Sequence, residues 1–140
     1  MSGIIGGAGS KSGVIGTTEL DYEEGTWTAG IESGGGSFDT AVNCTYTKIG
    51  RQVTCHMYLN ALASPTGDPF VLNGLPFTSS SSPSVYPTNI FGSQSNVGYF
   101  RVASGSNNIN LYSWTSAGVR TTVVGDDLSG HILGSVSYFV

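Results

Sequence analysis

Cys44-Thr45-Tyr46-Thr47-Lys48-Ile49-Gly50-Arg51-Gln52-Val53-Thr54-Cys55-His56-Met57-Tyr58-Leu59 is the stretch from which the fold can be read. Beyond Gly50, the apolar residues Val53, Cys55, Met57 and Leu59 alternate with Thr54, His56, Tyr58 and Asn60. That period of two belongs to a strand with one buried face. Gly50 supplies the positive φ that a tight hairpin turn needs. A two-residue turn at Ile49-Gly50 predicts Lys48 opposite Arg51, Tyr46 opposite Val53 and Cys44 opposite Cys55. It also gathers Tyr46, Val53, both cysteines, Met57 and Leu59 on one face, a set that a three-residue turn would scatter by slipping the register.

Around this hairpin the composition is that of an all-β protein. A chain of 140 residues can bury a core. Charged residues are 10% of it, against about 25% in ordinary globular domains, and glycine and serine fill the gaps between β-branched and aromatic runs. The net charge is −4, with the cations Lys11, Lys48, Arg51, Arg101 and Arg120 scattered along the chain. No nucleic-acid partner is expected, because phosphate binding needs concentrated positive charge. No apolar run approaches the roughly 20 residues of a bilayer span, and the N-terminus lacks the basic and apolar regions of a secretory signal. Neither membrane insertion nor export is expected.

Upstream of the hairpin, whose arms are read as 38–48 and 51–62, Glu19, Asp21, Glu23 and Glu24 form the densest charge cluster. Such carboxylates could hold calcium, but no EF-hand loop is present, and the cluster reads as a solvated lead-in to a first strand at 26–31. Trp27 and Ala29 should face inward there, and Gly34-Gly35-Gly36 should end it. Further upstream, Ser2-Gly3-Ile4-Ile5-Gly6 recurs as Ser12-Gly13-Val14-Ile15-Gly16. Residues 1–18 read as a glycine-rich arm outside a sandwich domain at 19–140. Its aliphatic pairs Ile4-Ile5 and Val14-Ile15 read as two docking points for a neighbouring subunit, and a disordered tail is the other reading of so much glycine.

Downstream, Pro65-Thr66-Gly67-Asp68-Pro69 is a turn, and the apolar residues at 70–72 and 75–77 suit a short edge strand between prolines. Residues 79–84 are a serine loop. Strands follow at 85–91, 97–103, 108–114 and 119–124, separated by Gly, Ser and Asn turns, and no window has helical periodicity. Residues 131–140 form a strong strand with an apolar finish. It is expected to be central in its sheet, with Tyr138, Phe139 and Val140 at a subunit interface. The expectation is an all-β, antiparallel, jelly-roll-like β-sandwich of about eight strands with an extended N-terminal arm, assembling as a homotrimer.

Motifs for chemistry are sparse. Facing cysteines at 44 and 55 would be within disulfide range, while the missing export signal favours free buried thiols. Cys44, Cys55, His56 and His131 do not make a zinc site, because His56 points away from Cys55 and the ligand spacings are absent. Asp126-Asp127 lies near His131 in sequence, but there is no Gly-x-Ser-x-Gly motif. Gly9-Ser10-Lys11-Ser12 lacks the earlier glycine and the helix of a phosphate-binding loop. Asn43-Cys44-Thr45 matches a glycosylation sequon, relevant only in a eukaryotic secretory route. No catalytic residue, cofactor or metal site is expected. Tyr99, Tyr112 and Trp114 remain as a possible carbohydrate-stacking surface, with Phe100, Val102, Ile109 and Leu111 competing for the core faces.

Three ordered motifs add a resemblance. Asp21-Tyr22-Glu23-Glu24-Gly25-Thr26-Trp27-Thr28, then Tyr46-Thr47-Lys48-Ile49-Gly50-Arg51-Gln52-Val53, then Asn73-Gly74-Leu75-Pro76-Phe77-Thr78 closely resemble motifs of a β-domain of tailed-bacteriophage virion proteins, commonly met at the C-terminal ends of tail fibres. The likeness covers residues 20–78, and Ala29 stands where proline is usual. In fibres the motif follows a shaft or an anchoring domain, whereas here a short arm precedes it. The resemblance implies a non-enzymatic virion structural protein on the particle surface, assembled in the cytoplasm of the bacterial host. Its partners would be further copies of itself and the major capsid protein or tail proteins. Two placements follow. In a capsid decoration protein, residues 1–16 would clamp onto the shell. In a tail-fibre tip, loops at 78–83 and 104–108 would touch host glycans. Chain length and the arm tip the expectation towards decoration.

Overall fold

The computed structural model describes residues 21–38, 43–60, 62–80, 98–128 and 131–140. The arm with Ile4, Ile5, Val14 and Ile15, the expected strand at 85–91 and most of the serine loop lie outside the described residues. Within them the chain is all-β and every strand pairing is antiparallel. The strands are β1 (Tyr22–Thr26), β2 (Gly30–Ser33), β3 (Gly35–Phe38), β4 (Asn43–Ile49), β5 (Gln52–Leu59), β6 (Leu62–Pro65), β7 (Val71–Asn73), β8 (Gly98–Val102), β9 (Ile109–Trp114), β10 (Arg120–Thr122) and β11 (Ile132–Phe139). A single 3₁₀ turn at Gly125–Asp127 is the only helical element among the described residues. These strands outnumber the eight expected because glycines and prolines cut the longer sequence runs into short pieces.

The hairpin forms, with one correction to its register. Gly50 and Arg51 are the turn, so Ile49 pairs with Gln52, Lys48 with Val53, Tyr46 with Cys55 and Cys44 with Met57. Gly50 takes φ +57 at the first turn position; an Ile49-Gly50 turn could place β-branched Ile49 in that unfavourable region. The shift is by two positions on one strand, so facing parity is kept and the buried set stays together. Val53, Cys55, Met57 and Leu59 are buried while Gln52, His56 and Tyr58 are exposed.

The first sheet has the order β1-β4-β5-β11. The acidic stretch expected as a lead-in is itself strand β1, paired along β4 from Tyr22↔Ile49 to Thr26↔Thr45. Residues 27–29 carry the chain over to the second sheet, with Trp27 and Ala29 buried as expected. At the other end lies β11, paired with β5 from Ile132↔Leu59 to Phe139↔Gln52. It was expected to be central; among the described residues it is an end strand, because β5 is the one strand it pairs with. Its terminus is tied down by Arg51: the Val140 N–H donates to the Arg51 carbonyl at 2.9 Å, and Arg51 Nε donates to the Val140 main-chain oxygen at 2.8 Å.

The second sheet is built on β9. Strand β8 pairs along one of its edges from Gly98↔Ser113 to Val102↔Ile109. On the other edge β10 pairs with the end of β9 and β7 with its start, and β2 continues the sheet beyond β7. The short strand β7 is therefore interior and not the expected edge. Its proline does not interrupt the ladder, because Pro69 lies before the strand, in an isolated bridge to Val124. Strands β3 and β6 make a separate pair.

The inner faces of the two large sheets share one apolar cluster, which makes the architecture a β-sandwich. From the first sheet it takes Val53, Cys55, Met57, Leu59, Ile132, Val136 and Tyr138; from the second, Leu72, Phe100, Val102, Ile109 and Leu111. Each fully covered aliphatic or aromatic side chain contributes about 1.5–3 kcal/mol relative to exposure, so this cluster fixes how the sheets stack.

Candidate functional site

The three sequence motifs that carry the resemblance meet in space, and their meeting is structural. The Tyr46 hydroxyl donates to Glu23 Oε1 at 2.6 Å, and Lys48 Nζ pairs with Asp21 Oδ2 at 2.6 Å. The Tyr46 ring meets Phe77 edge-on at 5.4 Å, and Lys48 Nζ lies 5.8 Å from the centre of the Phe77 ring. Gly74, at φ +92, lies so close to the Thr28 carbonyl that a side chain there would collide with it. Thus the first and third motifs buttress the second, and their residue types are explained by packing without a ligand.

The acids have local partners of their own. Asp21 holds Lys48, Glu23 accepts from Tyr46, and Glu24 accepts from the Tyr22 hydroxyl at 2.6 Å. Those hydrogen bonds to carboxylates push the tyrosine hydroxyls of residues 22 and 46 up from their ordinary value. Among the described residues no three His, Cys, Asp or Glu side chains are grouped as metal ligands. His56 is exposed and on the opposite face from Cys55, as expected. His131 stacks on Tyr58 with ring centres 5.3 Å apart, and its Nδ1 lies 3.3 Å from the Tyr58 hydroxyl.

Both cysteines are free and buried. Burial pushes the Cys44 thiol up, with backbone hydrogen bonding offsetting part of the shift. Burial pushes Cys55 up to about 12, partly offset by Tyr138. Such thiols are poor nucleophiles, because the reactive thiolate is the form that burial disfavours. Of the three residues expected at a subunit interface, Tyr138 is wholly covered within the chain, Phe139 is 40% exposed and Val140 is half-buried. Only Phe139 keeps substantial surface for a partner.

The sequence-predicted aromatics are brought together. On β8 and β9, Gly98, Phe100, Val102, Ile109, Leu111 and Ser113 are buried, so the alternate residues Tyr99, Arg101, Asn110, Tyr112 and Trp114 share the outer face of the sheet. Tyr99 pairs directly with Tyr112, and their rings stack at 5.5 Å with planes 28° apart. Tyr99 also stacks on Trp114 at 6.0 Å and 29°. From β10, the Arg120 guanidinium lies over the Tyr112 ring, 4.8 Å from its centre. The competition for core faces is settled by parity: Phe100, Val102, Ile109 and Leu111 take the core, and the three aromatics are left outside. The result is a ridge of three rings in which Tyr99 stacks on both Tyr112 and Trp114, and this stacking, about 0.5–1.5 kcal/mol per pair, orders it without a ligand. Trp114 at its end is 52% exposed.

Sequence reading did not include Arg101 and Arg120 in this surface. Positions two apart on one strand carry a detectable signal for Arg101 beside Tyr99, but the contact of Arg120 with Tyr112 depends on β10 pairing with β9. A shallow groove of about 420 Å³ is lined by Glu24, Gly25, Thr26, Thr45, Tyr46 and Thr47. It holds one carboxylate and several hydroxyls, and no imidazole or thiol to activate them.

Comparison with protein-family models, with curated proteins and with solved structures finds no match for this chain.

Proposed function

We propose that this chain is a non-enzymatic structural protein displayed on the surface of a tailed-bacteriophage particle, and that it acts as a host-glycan adhesion module of the tail-fibre or tail-tip kind. The virion assignment rests on the three-motif resemblance. The adhesion role is carried by one observation, the ordered ridge of Tyr99, Tyr112 and Trp114 on the solvent face of β8 and β9. Aromatic rings offer a large rigid surface to the C–H face of a sugar ring at little entropic cost. The test is binding of the protein to host cells and to their purified surface polysaccharide, with Trp114→Ala as control. Binding that this substitution removes while the fold is retained supports the adhesion reading; binding unaffected by it rejects the ridge as the contact surface.

A capsid decoration trimer is the second reading. It is favoured by a different observation, the exposed Tyr22, Ile49 and Phe139, which the register places in one row across the outer face of the first sheet. A row of that kind suits burial against another virion protein or another copy of the chain. Copy number per purified particle separates the two. Hundreds of copies would place the protein on the head, and a few to a few tens would place it on the tail.

A further inference from the structure

We propose that the ridge is a site for acidic glycans, with Arg101 and Arg120 as the groups that receive the sugar's carboxylate or phosphate. This rests on the adhesion reading and names the ligand class of the same surface.

The distribution of charge carries the inference. Four cations lie among the described residues, and two are engaged elsewhere: Lys48 with Asp21, and Arg51 with the Val140 main-chain oxygen. The other two, Arg101 and Arg120, both lie on the outer face of the β8–β9–β10 sheet, one at each end of the aromatic rows. Arg101 pairs with Asn110, Tyr99 with Tyr112 in the next row, and Trp114 with Arg120 in the row after that. Two steps of two residues separate the arginine backbones, about 13 Å along the strands, and the Arg120 guanidinium reaches back one row to lie over Tyr112, so a short oligosaccharide can touch both. Strands β8, β9 and β10 contain no Asp or Glu, although the chain as a whole is net acidic at −4.

Arg101 adds an independent point. Its Nε is buried and, among the described residues, has no hydrogen-bond partner, an uncommon condition for a guanidinium nitrogen taken from water. The Arg120 guanidinium is held over Tyr112, 4.8 Å from the ring centre, and its fork matches a planar carboxylate or a phosphate. A neutral sugar would use the rings and bring neither guanidinium a counter-charge. An acidic one would supply it.

The experiment uses the full chain on an array of uronate-, sialate- and phosphate-bearing oligosaccharides beside neutral ones of the same backbones. At least tenfold preference for acidic members is expected, falling as salt is raised and reduced about tenfold in the Arg101→Gln/Arg120→Gln double variant. Arg120→Gln alone, at an exposed position, keeps the result readable if substitution of half-buried Arg101 disturbs folding. Equal binding of acidic and neutral members, or an acidic preference untouched by the arginine variants, overturns the acidic-glycan inference. If that binding is still lost with Trp114→Ala, the adhesion reading stands without it. Absence of binding to every glycan on the array overturns both.

Discussion

Cys44 and Cys55 occupy diagonal positions on the inner face of the β4–β5 hairpin: Cys44 faces Met57 across the pair, and Cys55 faces Tyr46. Diagonal neighbours in an antiparallel pair lie about 7–8 Å apart, beyond comfortable disulfide reach. The folded protein should therefore remain a dithiol under mild oxidation. Both thiols should be inert to an aromatic disulfide reagent at pH 8 and react fully once the chain is denatured. A native disulfide found by peptide mapping would contradict the register.

Stability should fall on the alkaline side. Burial raises Cys55 from 9.0 to about 12, and it also raises Tyr138, with the nearby Cys55 adding to that shift. In both cases the folded state holds its proton at pH values where the unfolded chain has lost it. The stabilisation is complete below pH 9 and is lost as pH rises through 9 to 12, on the order of a few kcal/mol in all. Denaturant midpoints measured from pH 7 to 11 should decline above pH 9, and Cys55→Val should flatten that decline. A pH-independent midpoint in the parent protein would be inconsistent with these buried groups.

Tyr138→Phe should leave the protein as stable as before or stabilise it by about 1 kcal/mol. The ring is fully covered, yet among the described residues its hydroxyl has no partner with hydrogen-bond geometry, and an unmet buried hydroxyl costs about 1–3 kcal/mol. A clear loss of stability by denaturant titration would mean that the hydroxyl bonds to the Phe77 main chain or the Cys55 thiol after all.

Glycines should separate sharply in cost. A side chain at Gly125 would collide with the Gly34 carbonyl and crowd the Thr66 carbonyl, where the 3₁₀ turn packs on the loop between β2 and β3. Gly125→Ala is expected to cost more than about 3 kcal/mol or to prevent folding. Gly118 has φ +75 but open space around it, so Gly118→Ala should cost only about 1 kcal/mol. Thermal melts of the two variants give the comparison directly, and equal melting temperatures would refute it.

The hairpin shows how far the sequence reaches. Alternation of Val53, Cys55, Met57 and Leu59 with polar residues determined that this is a strand and which side is buried, because side-chain parity is a local property of extended backbone. The same alternation around Phe100 and Leu111 contains the placement of Tyr99, Tyr112 and Trp114 on one face, although only one of the two possible parities makes it the outer one. The antiparallel sandwich class follows from such runs and the glycine punctuation between them. What parity leaves open is pairing. A shift of two residues preserves every buried face, so the Gly50-Arg51 turn and the separation of the cysteines were decided by the φ demand on one turn position and by β1 lying along β4. Likewise the interior place of β7, the end position of β11 and the meeting of Arg120 with Tyr112 join segments distant in sequence. Those contacts come from two sheets sharing one core, a condition that only the folded chain imposes.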